Sequence, residues 1–250
     1  MLTKKLSVIV PVYKAEGFIA RNLEEMKHSI SNYFPNYEVI AVIDGQLDRS
    51  TEEASKVKNV KIVSCKENHG KGYALKIGFE RSNGDYITFV DCDMDIDPRQ
   101  LSSFIPYLAT ADMVIGSKRH PFSKLHYPLR RKIMSRMFQW YSWFVLGTNI
   151  RDTQSGLKLI KREVLDVVMP MILVKRYAFD LELCFLAQKH GFRVVEAPLY
   201  IDYKLNGSGL DFKNIFGMFL DVLAIGYRYN VKKYYKKKFW EEKGWRDVGK

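Results

Sequence analysis

The stretch Tyr86-Ile87-Thr88-Phe89-Val90-Asp91-Cys92-Asp93 is an apolar, β-branched run that ends in two carboxylates. Such a run predicts a buried strand. Side chains alternate along a strand, so Asp91 and Asp93 are predicted to point the same way. Two carboxylates on one side repel each other unless a cation lies between them, and their hard oxygens suit Mg²⁺ or Mn²⁺. Asp95 continues the same phase as a candidate third ligand. The alternative is a solvated acidic turn.

Further apolar runs on both sides of this stretch alternate with segments of helical periodicity such as Gly72–Arg81. This β-α-β-α-β order predicts an α/β fold with a mainly parallel sheet and helices on both faces. The other predicted strands are Leu6–Val12, Val39–Ile43, Val60–Cys65, Met113–Ile115 and Arg193–Tyr203. Because ligands of such sheets bind beyond the carboxyl ends of the strands, the residues that follow each strand are the candidate site.

Polar residues follow each of the first five predicted strands. Besides Asp91-Cys92-Asp93, these segments are Pro11-Val12-Tyr13-Lys14-Ala15-Glu16, Asp44-Gly45-Gln46-Leu47-Asp48, Asn68-His69-Gly70-Lys71-Gly72 and Ser117-Lys118-Arg119. One polar turn is ordinary, whereas a succession that mixes acids and bases indicates a binding site. Asp44 can accept hydrogen bonds from a nucleobase or ribose, or can be the first residue of an Asp-Gly turn. The glycines around Lys71 can approach a phosphate.

The chain carries a net charge of +12 at a pI near 9.4, which indicates an anionic partner such as a nucleic acid, a membrane surface or a phosphorylated substrate. The excess of positive charge lies in residues 117–136, which hold no Asp or Glu, and in residues 227–250. Aromatic residues follow the first basic stretch at once: Phe138, Trp140, Tyr141, Trp143 and Phe144. Cations beside clustered aromatics are typical of a membrane interface, and a helix buried in a core is the alternative.

The rest of the composition excludes several classes of protein. At 47% hydrophobic and 27% charged residues, the chain is not mainly disordered. The three cysteines, Cys65, Cys92 and Cys184, lack zinc-like spacing and fit a reducing compartment. We expect neither a signal peptide nor a transmembrane helix, because no apolar run is long enough.

Taken together, the post-strand motifs resemble family 2 glycosyltransferases with a GT-A fold. The similar motifs are Pro11-Val12-Tyr13 with Glu16, Asp44-Gly45 with Asp48 and Thr51, Asn68-His69-Gly70-Lys71-Gly72, and Asp91-Cys92-Asp93. In the later half, three segments look like those of dolichyl-phosphate glucose synthases and the related dolichyl-phosphate mannose synthases. These are Ile115-Gly116-Ser117-Lys118-Arg119, Asp152-Thr153-Gln154-Ser155-Gly156-Leu157-Lys158-Leu159 and Ala178-Phe179-Asp180-Leu181-Glu182-Leu183.

The resemblance implies an inverting transfer of a sugar, with UDP-glucose as the expected donor, to a polyprenyl or dolichyl phosphate, with Mg²⁺ or Mn²⁺ as cofactor. It assigns the nucleotide-sugar pocket to Pro11, Tyr13, Glu16, Asp44, Lys71, Asp91 and Cys92. It assigns the metal to Asp91, Asp93 and Asp95, and the acceptor phosphate to Arg119, Arg131 and Ser135. The groups implied to be catalytic are Asp93, Arg119 and Arg131.

The implied chemistry agrees with the composition. A cation and basic groups stabilise the departing diphosphate, and an acceptor that is already an anion needs no strong general base. One alternative is transfer of mannose from GDP-mannose. Another is a saccharide or protein acceptor, for which Asp180 or Glu182 would be the base. A third is a non-catalytic membrane or nucleic-acid binding module. The carboxylate pair argues against that module, so we expect no nucleic-acid partner.

Residues 1–210 are predicted to form the catalytic domain, and residues 211–250 an amphipathic, basic segment that associates with an anionic membrane. The apolar residues Phe212, Ile215, Phe216, Phe219, Leu220 and Leu223 recur with helical spacing, and a lysine-rich stretch follows. The alternative is that the apolar face packs on the catalytic domain and the lysines form a solvated tail. We therefore expect a cytoplasmic protein, bound peripherally to the cytoplasmic face of a membrane.

Overall fold

The computed structural model describes residues 4–126, 129–202 and 212–236. Within these ranges, the side chains of residues 125–132, 202 and 212–215 are not described. The side chain of Arg131 and the lysines after residue 236, both of which entered the sequence predictions, therefore lie outside the described part.

A seven-stranded sheet forms the centre of the protein, in the order β3-β2-β1-β4-β7-β5-β8. Its strands are β1 (Leu6–Val12), β2 (Tyr37–Asp44), β3 (Val60–Cys65), β4 (Tyr86–Phe89), β5 (Met113–Ser117), β7 (Lys158–Lys161) and β8 (Val194–Pro198). Strand β7 runs antiparallel to both of its neighbours, and every other pairing in this sheet is parallel. A small parallel ribbon joins β6 (Lys124–His126) to β9 (Tyr200–Asp202). This mixed, mainly parallel sheet confirms the predicted fold class.

Helices cover both faces of the sheet. They are α1 (Ile19–Ser31), α2 (Ser50–Ser55), α3 (Lys71–Glu80), α4 (Leu129–Leu146), α5 (Arg162–Val168), α6 (Phe179–Lys189) and α7 (Phe212–Asn230), with 3₁₀ helices at Pro98–Ala109 and Met169–Met171. Alternation along β1 separates two cores: Val8 packs in a cluster with Leu23 of α1, and Ile9 packs in a cluster with Leu75 of α3. The loops at the carboxyl ends of the strands are thereby held at one edge.

The segment predicted as one strand, Arg193–Tyr203, forms two strands in different sheets. Strand β8 ends at Pro198, and β9 begins at Tyr200 in the small ribbon. The connecting residue, Leu199, donates its backbone N–H to Ser123 Oγ at 2.8 Å and accepts from Lys124 N at 3.0 Å. A β-rich sequence alone does not show that the chain changes its hydrogen-bonding partner at this point.

Helix α7 packs one face against α4. Phe219 lies between the rings of Phe138 and Tyr141, and the Tyr141 hydroxyl donates to Phe219 O at 3.0 Å. Val222 and Ile225 are fully buried in the core on the α3 and α6 side of the sheet. Within the ranges described, no helix has both the length and the apolar character needed to cross a bilayer.

Candidate active site

The carboxylate pair lies just beyond β4, where it meets the first residue of α3. Asp91 Oδ1 is 2.5 Å from the Lys71 ammonium. On its other side, Asp91 faces Gly156, where a Cβ atom would lie 2.5 Å from Asp91 Oδ2. A side chain at position 156 would therefore displace the Asp91 carboxylate. The structure thus brings together three motifs that are far apart in sequence.

These charges shift one another's ionisation. Burial alone would lower the pKa of Lys71, but the Asp91 charge, with those of Asp180 and Asp93, outweighs it and raises that pKa above its usual value. Burial would likewise raise the pKa of Asp91, but Lys71 outweighs it and holds that pKa low. Partial desolvation and the neighbouring Asp91 charge raise the pKa of Asp93. Lys71 and Asp91 therefore form a stable ion pair, and the negative charge of Asp91 disfavours ionisation of the neighbouring Asp93 carboxyl.

The donor set of this site fits a divalent cation that shares its coordination with a substrate. Asp91 and Asp93 supply hard carboxylate oxygens, and Mg²⁺ is commonly held by one or two carboxylates together with phosphate oxygens and water. Over the described residues, no cluster of three or more His, Cys, Asp or Glu side chains could hold an ion by itself. Asp95 donates its backbone N–H to Asp93 Oδ1 at 3.2 Å. Its assignment as a third ligand stays a prediction.

A buried ion pair, absent from the predicted site, lies behind the carboxylates. Lys158 of β7 is fully buried, and its Nζ lies 2.7 Å from Asp180 Oδ1 of α6. The same ammonium donates to the Ser155 carbonyl, next to Gly156. Asp180 in turn acts on the Lys71 charge. Little in the sequence indicates this pair, because Lys158 is the first residue of a short strand that also ends in a lysine.

Asp44, predicted to contact a nucleobase or ribose, holds the loop that precedes α3. Its two oxygens accept backbone N–H groups of His69 at 2.9 Å and Gly70 at 2.7 Å. Gly70 has a φ of +103°, and a Cβ there would lie 2.5 Å from Lys175 O, so this close approach requires glycine. Asp44 therefore shapes the edge of the site, and its contact with a nucleotide stays a prediction.

The remaining predicted nucleotide-pocket residues lie at the ends of β1 and β4. Tyr13 is exposed, and Glu16 Oε2 accepts the backbone N–H of Arg49 at 2.9 Å, which ties the loop after β1 to the loop after β2. Pro11 is half-buried in β1 beside β2. The Cys92 carbonyl accepts Asn22 Nδ2 of α1 at 2.9 Å. These residues form one rim at the carboxyl edge of the sheet.

Two of the predicted acceptor-phosphate residues are in direct contact. Arg119 Nη2 donates to both the backbone oxygen of Ser135, at 2.5 Å, and its hydroxyl, at 2.9 Å. Both residues line a cavity between α4 and the segment 148–154. The guanidinium is thus fixed at the wall of a cavity, where its positive charge favours an anion.

Glu182 cannot serve as a general base, which corrects its assignment in the saccharide-acceptor alternative. Its carboxylate is fully buried and accepts from Val174 N at 2.7 Å, Arg228 Nη1 at 2.9 Å and the Tyr235 hydroxyl. Asp180 is held by Lys158 in the same region. Glu182 instead joins α6 to α7 and to the segment that leads into Lys175, so its role is structural.

The sheet, the carboxylate pair and the cavity beside Arg119 define an α/β protein with a candidate site built from the loops of its central sheet. Residues 7–169 match the sequence profile described as "Glycosyl transferase family 2". This match spans well over half of the chain. The protein belongs to glycosyl transferase family 2.

Two curated relatives show the range of proteins to which the chain is similar. Human dolichyl-phosphate beta-glucosyltransferase is 30% identical over 250 residues, which cover 91% of this chain and 76% of the relative. Polyprenol monophosphomannose synthase of Mycolicibacterium smegmatis is 28% identical over 238 residues, which cover 90% of this chain and 88% of the relative.

Solved structures confirm the fold. Glucosyl-3-phosphoglycerate synthase of Mycobacterium tuberculosis, in complex with uridine diphosphate, superposes with a TM-score of 0.67 at 18% identity and covers 90% of this chain and 79% of its own. Mannosyl-3-phosphoglycerate synthase of Rubrobacter xylanophilus has a TM-score of 0.70 at 15% identity, covering 92% of this chain and 75% of its own. The protein therefore has the GT-A fold predicted from its sequence.

Proposed function

We propose that the protein transfers glucose from UDP-glucose to the phosphate of a polyprenyl lipid, with inversion at the anomeric carbon. The observation that carries this proposal is that one short segment contacts both regions: residues 152–154 line the Arg119 cavity, and Gly156 lies against Asp91. The site at Asp91 and Asp93, with its cation, suits the donor diphosphate, and the cavity at Arg119 suits the acceptor phosphate. The similarity to dolichyl-phosphate glucosyltransferases supports the lipid acceptor and the sugar.

In the proposed reaction, the residues of the site bind the substrates, orient them and stabilise the charge that develops. Asp91 and Asp93 would hold Mg²⁺ or Mn²⁺, which would neutralise the departing diphosphate. Crystal structures of the M. tuberculosis synthase contain Mn²⁺ or Mg²⁺ together with uridine diphosphate, which supports a divalent cation as the cofactor. Lys71 fixes the orientation of Asp91. Arg119 holds the acceptor phosphate in line with the anomeric carbon, and this positioning lowers the barrier.

A donor panel tests the proposed function. The protein is incubated with UDP-glucose or GDP-mannose, Mg²⁺ or Mn²⁺, and a short polyprenyl phosphate, and the lipid fraction is analysed by mass spectrometry. We expect a hexosylated polyprenyl phosphate from UDP-glucose. Product from GDP-mannose alone would favour the second candidate, mannose transfer, which the mycobacterial relative supports. Absence of any glycolipid would contradict both.

Arg119→Ala should raise the KM for polyprenyl phosphate by at least about tenfold, because a hydrogen bond between charged groups is worth roughly 1.5–3 kcal/mol. Donor binding, measured calorimetrically with UDP, should stay unchanged. Arg131→Ala is expected to act in the same direction. The control is Arg99→Ala, which removes an exposed arginine paired with Asp97. An acceptor KM equal to that of the control would show that Arg119 is not an acceptor ligand.

We further propose that the lipid substrate is reached at a membrane surface by way of α4 and α7. Each of these packed helices displays an exposed apolar stripe: Met137, Trp140 and Phe144 on α4, and Phe216, Leu220 and Leu223 on α7. The exposed fractions of Trp140 and Phe144 are 77% and 84%. Exposed lysines at 232, 233 and 236 follow α7 and suit anionic headgroups. The three free cysteines support a cytoplasmic location.

The double variant Trp140→Ser/Phe144→Ser should bind vesicles of mixed neutral and anionic lipids at least about tenfold more weakly, because each inserted aromatic contributes roughly 1.5–3 kcal/mol. Sedimentation with vesicles measures this. Tyr33→Ser, which removes an exposed aromatic just after α1, is the control. Truncation after Lys236 tests the last lysines separately and keeps Tyr235, which is buried. Equal sedimentation of the double variant and the control would rule out the α4 stripe as an anchor.

A further inference from the structure

The cavity beside Arg119 contains one polar group that the residues around it leave unused. Its walls come from α4, which contributes Ser135 and Gln139, and from the segment that contributes Thr153 and Gln154. Gln154 Nε2 is buried and, among the residues that the structure describes, has no hydrogen-bond partner. The other amide in the cavity is paired, since Gln139 Nε2 donates to Ile150 O at 3.5 Å.

An unpaired buried donor destabilises the folded state, because the group has lost its hydrogen bonds to water and gained none. Such a group persists where a ligand supplies the missing acceptor. An amide N–H₂ only donates, so the ligand must present an oxygen with a free lone pair. The nearby guanidinium of Arg119 favours an anionic oxygen over a neutral one.

The position of Gln154 also specifies which anion it meets. Gly156, two residues further along the chain, lies against Asp91 Oδ2 on the donor side. Asp152, two residues before it, accepts the backbone N–H of Lys118 at 2.8 Å, on the side of Arg119. The segment 152–156 therefore runs from the Arg119 cavity to the Asp91 carboxylate, and Gln154 belongs to the part of it that lines the cavity.

We infer that Gln154 donates a hydrogen bond to a non-attacking oxygen of the acceptor phosphate held by Arg119. This second contact fixes the rotation of the phosphate, so that another of its oxygens faces the anomeric carbon. The inference rests on the proposed function and adds to it a ligand of the acceptor that the sequence motifs did not single out.

Three substitutions test the inference, with the KM for a short polyprenyl phosphate, kcat and the Kd of UDP as readouts. Gln154→Leu keeps the volume and removes the donor, and it should raise the acceptor KM about fivefold to twentyfold. Gln154→Glu is isosteric but sets a carboxylate against the phosphate, so its effect should be larger. Gln100→Glu is the control, because that amide pairs with the Tyr200 backbone and neither residue lines the cavity. The UDP Kd should stay unchanged in all three.

Two results would overturn the inference. One is an acceptor KM in both Gln154 variants equal to that of the control. The other is a changed UDP Kd with an unchanged acceptor KM, which would place Gln154 on the donor side. If the wild-type protein forms no glycolipid, the proposed function fails, and calorimetric binding of the short polyprenyl phosphate to wild type and Gln154→Glu then decides the inference by itself: equal affinities overturn it, and weaker binding by the variant supports it.

Discussion

Asp93→Asn should lower sugar transfer by at least about 100-fold while the protein stays folded. The amide keeps the shape of the side chain but removes the negative charge that a divalent cation requires. Because the Asp91 charge and partial desolvation disfavour the Asp93 carboxylate, its neutralisation should not reduce the stability of the metal-free protein. Turnover with Mn²⁺ and the urea midpoint of unfolding are the two measurements.

Asp97→Asn is the matched control for Asp93→Asn, four residues further along the same segment. Asp97 accepts the backbone N–H of Arg99 at 2.9 Å and caps the 3₁₀ helix Pro98–Ala109. Asparagine caps a helix about as well as aspartate and the ion pair with Arg99 is exposed, so this substitution should change stability by less than about 1 kcal/mol and leave turnover within about threefold of wild type. Near wild-type turnover by Asp93→Asn would contradict the assignment of this carboxylate to the metal.

Lys158→Met should destabilise the protein by about 3–5 kcal/mol, because it leaves the Asp180 carboxylate buried without its partner. Replacing both residues, as Lys158→Met/Asp180→Leu, should recover part of this loss, since the unpaired charge is then gone. The free energy of unfolding in urea is the measurement. A double variant that is less stable than Lys158→Met would show that the ion pair is not the cause.

Lys161→Met provides the comparison on the same strand. Lys161 Nζ lies 2.8 Å from Asp112 Oδ1, and both side chains are more than a quarter exposed. Water screens such a pair, so its loss should cost only about 0–1 kcal/mol. Equal losses for Lys158→Met and Lys161→Met would mean that burial does not control the strength of these ion pairs.

The parallel part of the sheet was predictable because its strands are rich in apolar, β-branched residues. The observed bounds of β1 and β3, Leu6–Val12 and Val60–Cys65, are those predicted from the sequence. Both faces of β1 are buried, so its hydrophobicity alone identifies it, whereas β3 has exposed residues and is identified by its β-branched residues. The chain order then predicted that the polar segments after the strands, which include Asp91 and Lys71, lie at one edge of the sheet, and the Lys71–Asp91 contact itself was found only in the structure.

Strand β7 was not predicted, because its sequence Lys158-Leu159-Ile160-Lys161 is short and carries a lysine at each end. Hydropathy treats a lysine as a surface residue. Here Asp180, which is 22 residues away in sequence, compensates the charge of Lys158. A long-range pairing of this kind is a property of the folded chain and cannot be read from a local pattern.

The sequence indicated which residues belong to the candidate site, but it did not indicate their hydrogen-bond partners. The Asp44 carboxylate is engaged by two backbone amides, and the Gln154 amide is unpaired at a cavity. Both statements depend on side-chain geometry, which residue spacing does not specify. The amphipathic spacing of α7 was correct, but which of its faces packs on α4 became clear only from the positions of Phe219 and Val222.

The most direct test of the proposed transfer is the nature of the bond that the enzyme makes. UDP-glucose with an isotope label at the anomeric carbon is incubated with a short polyprenyl phosphate, and the product is examined by NMR. The account predicts an anomeric carbon that is coupled to one phosphorus, in the β configuration. Free glucose, or label in a glycosidic bond without phosphorus coupling, would contradict it.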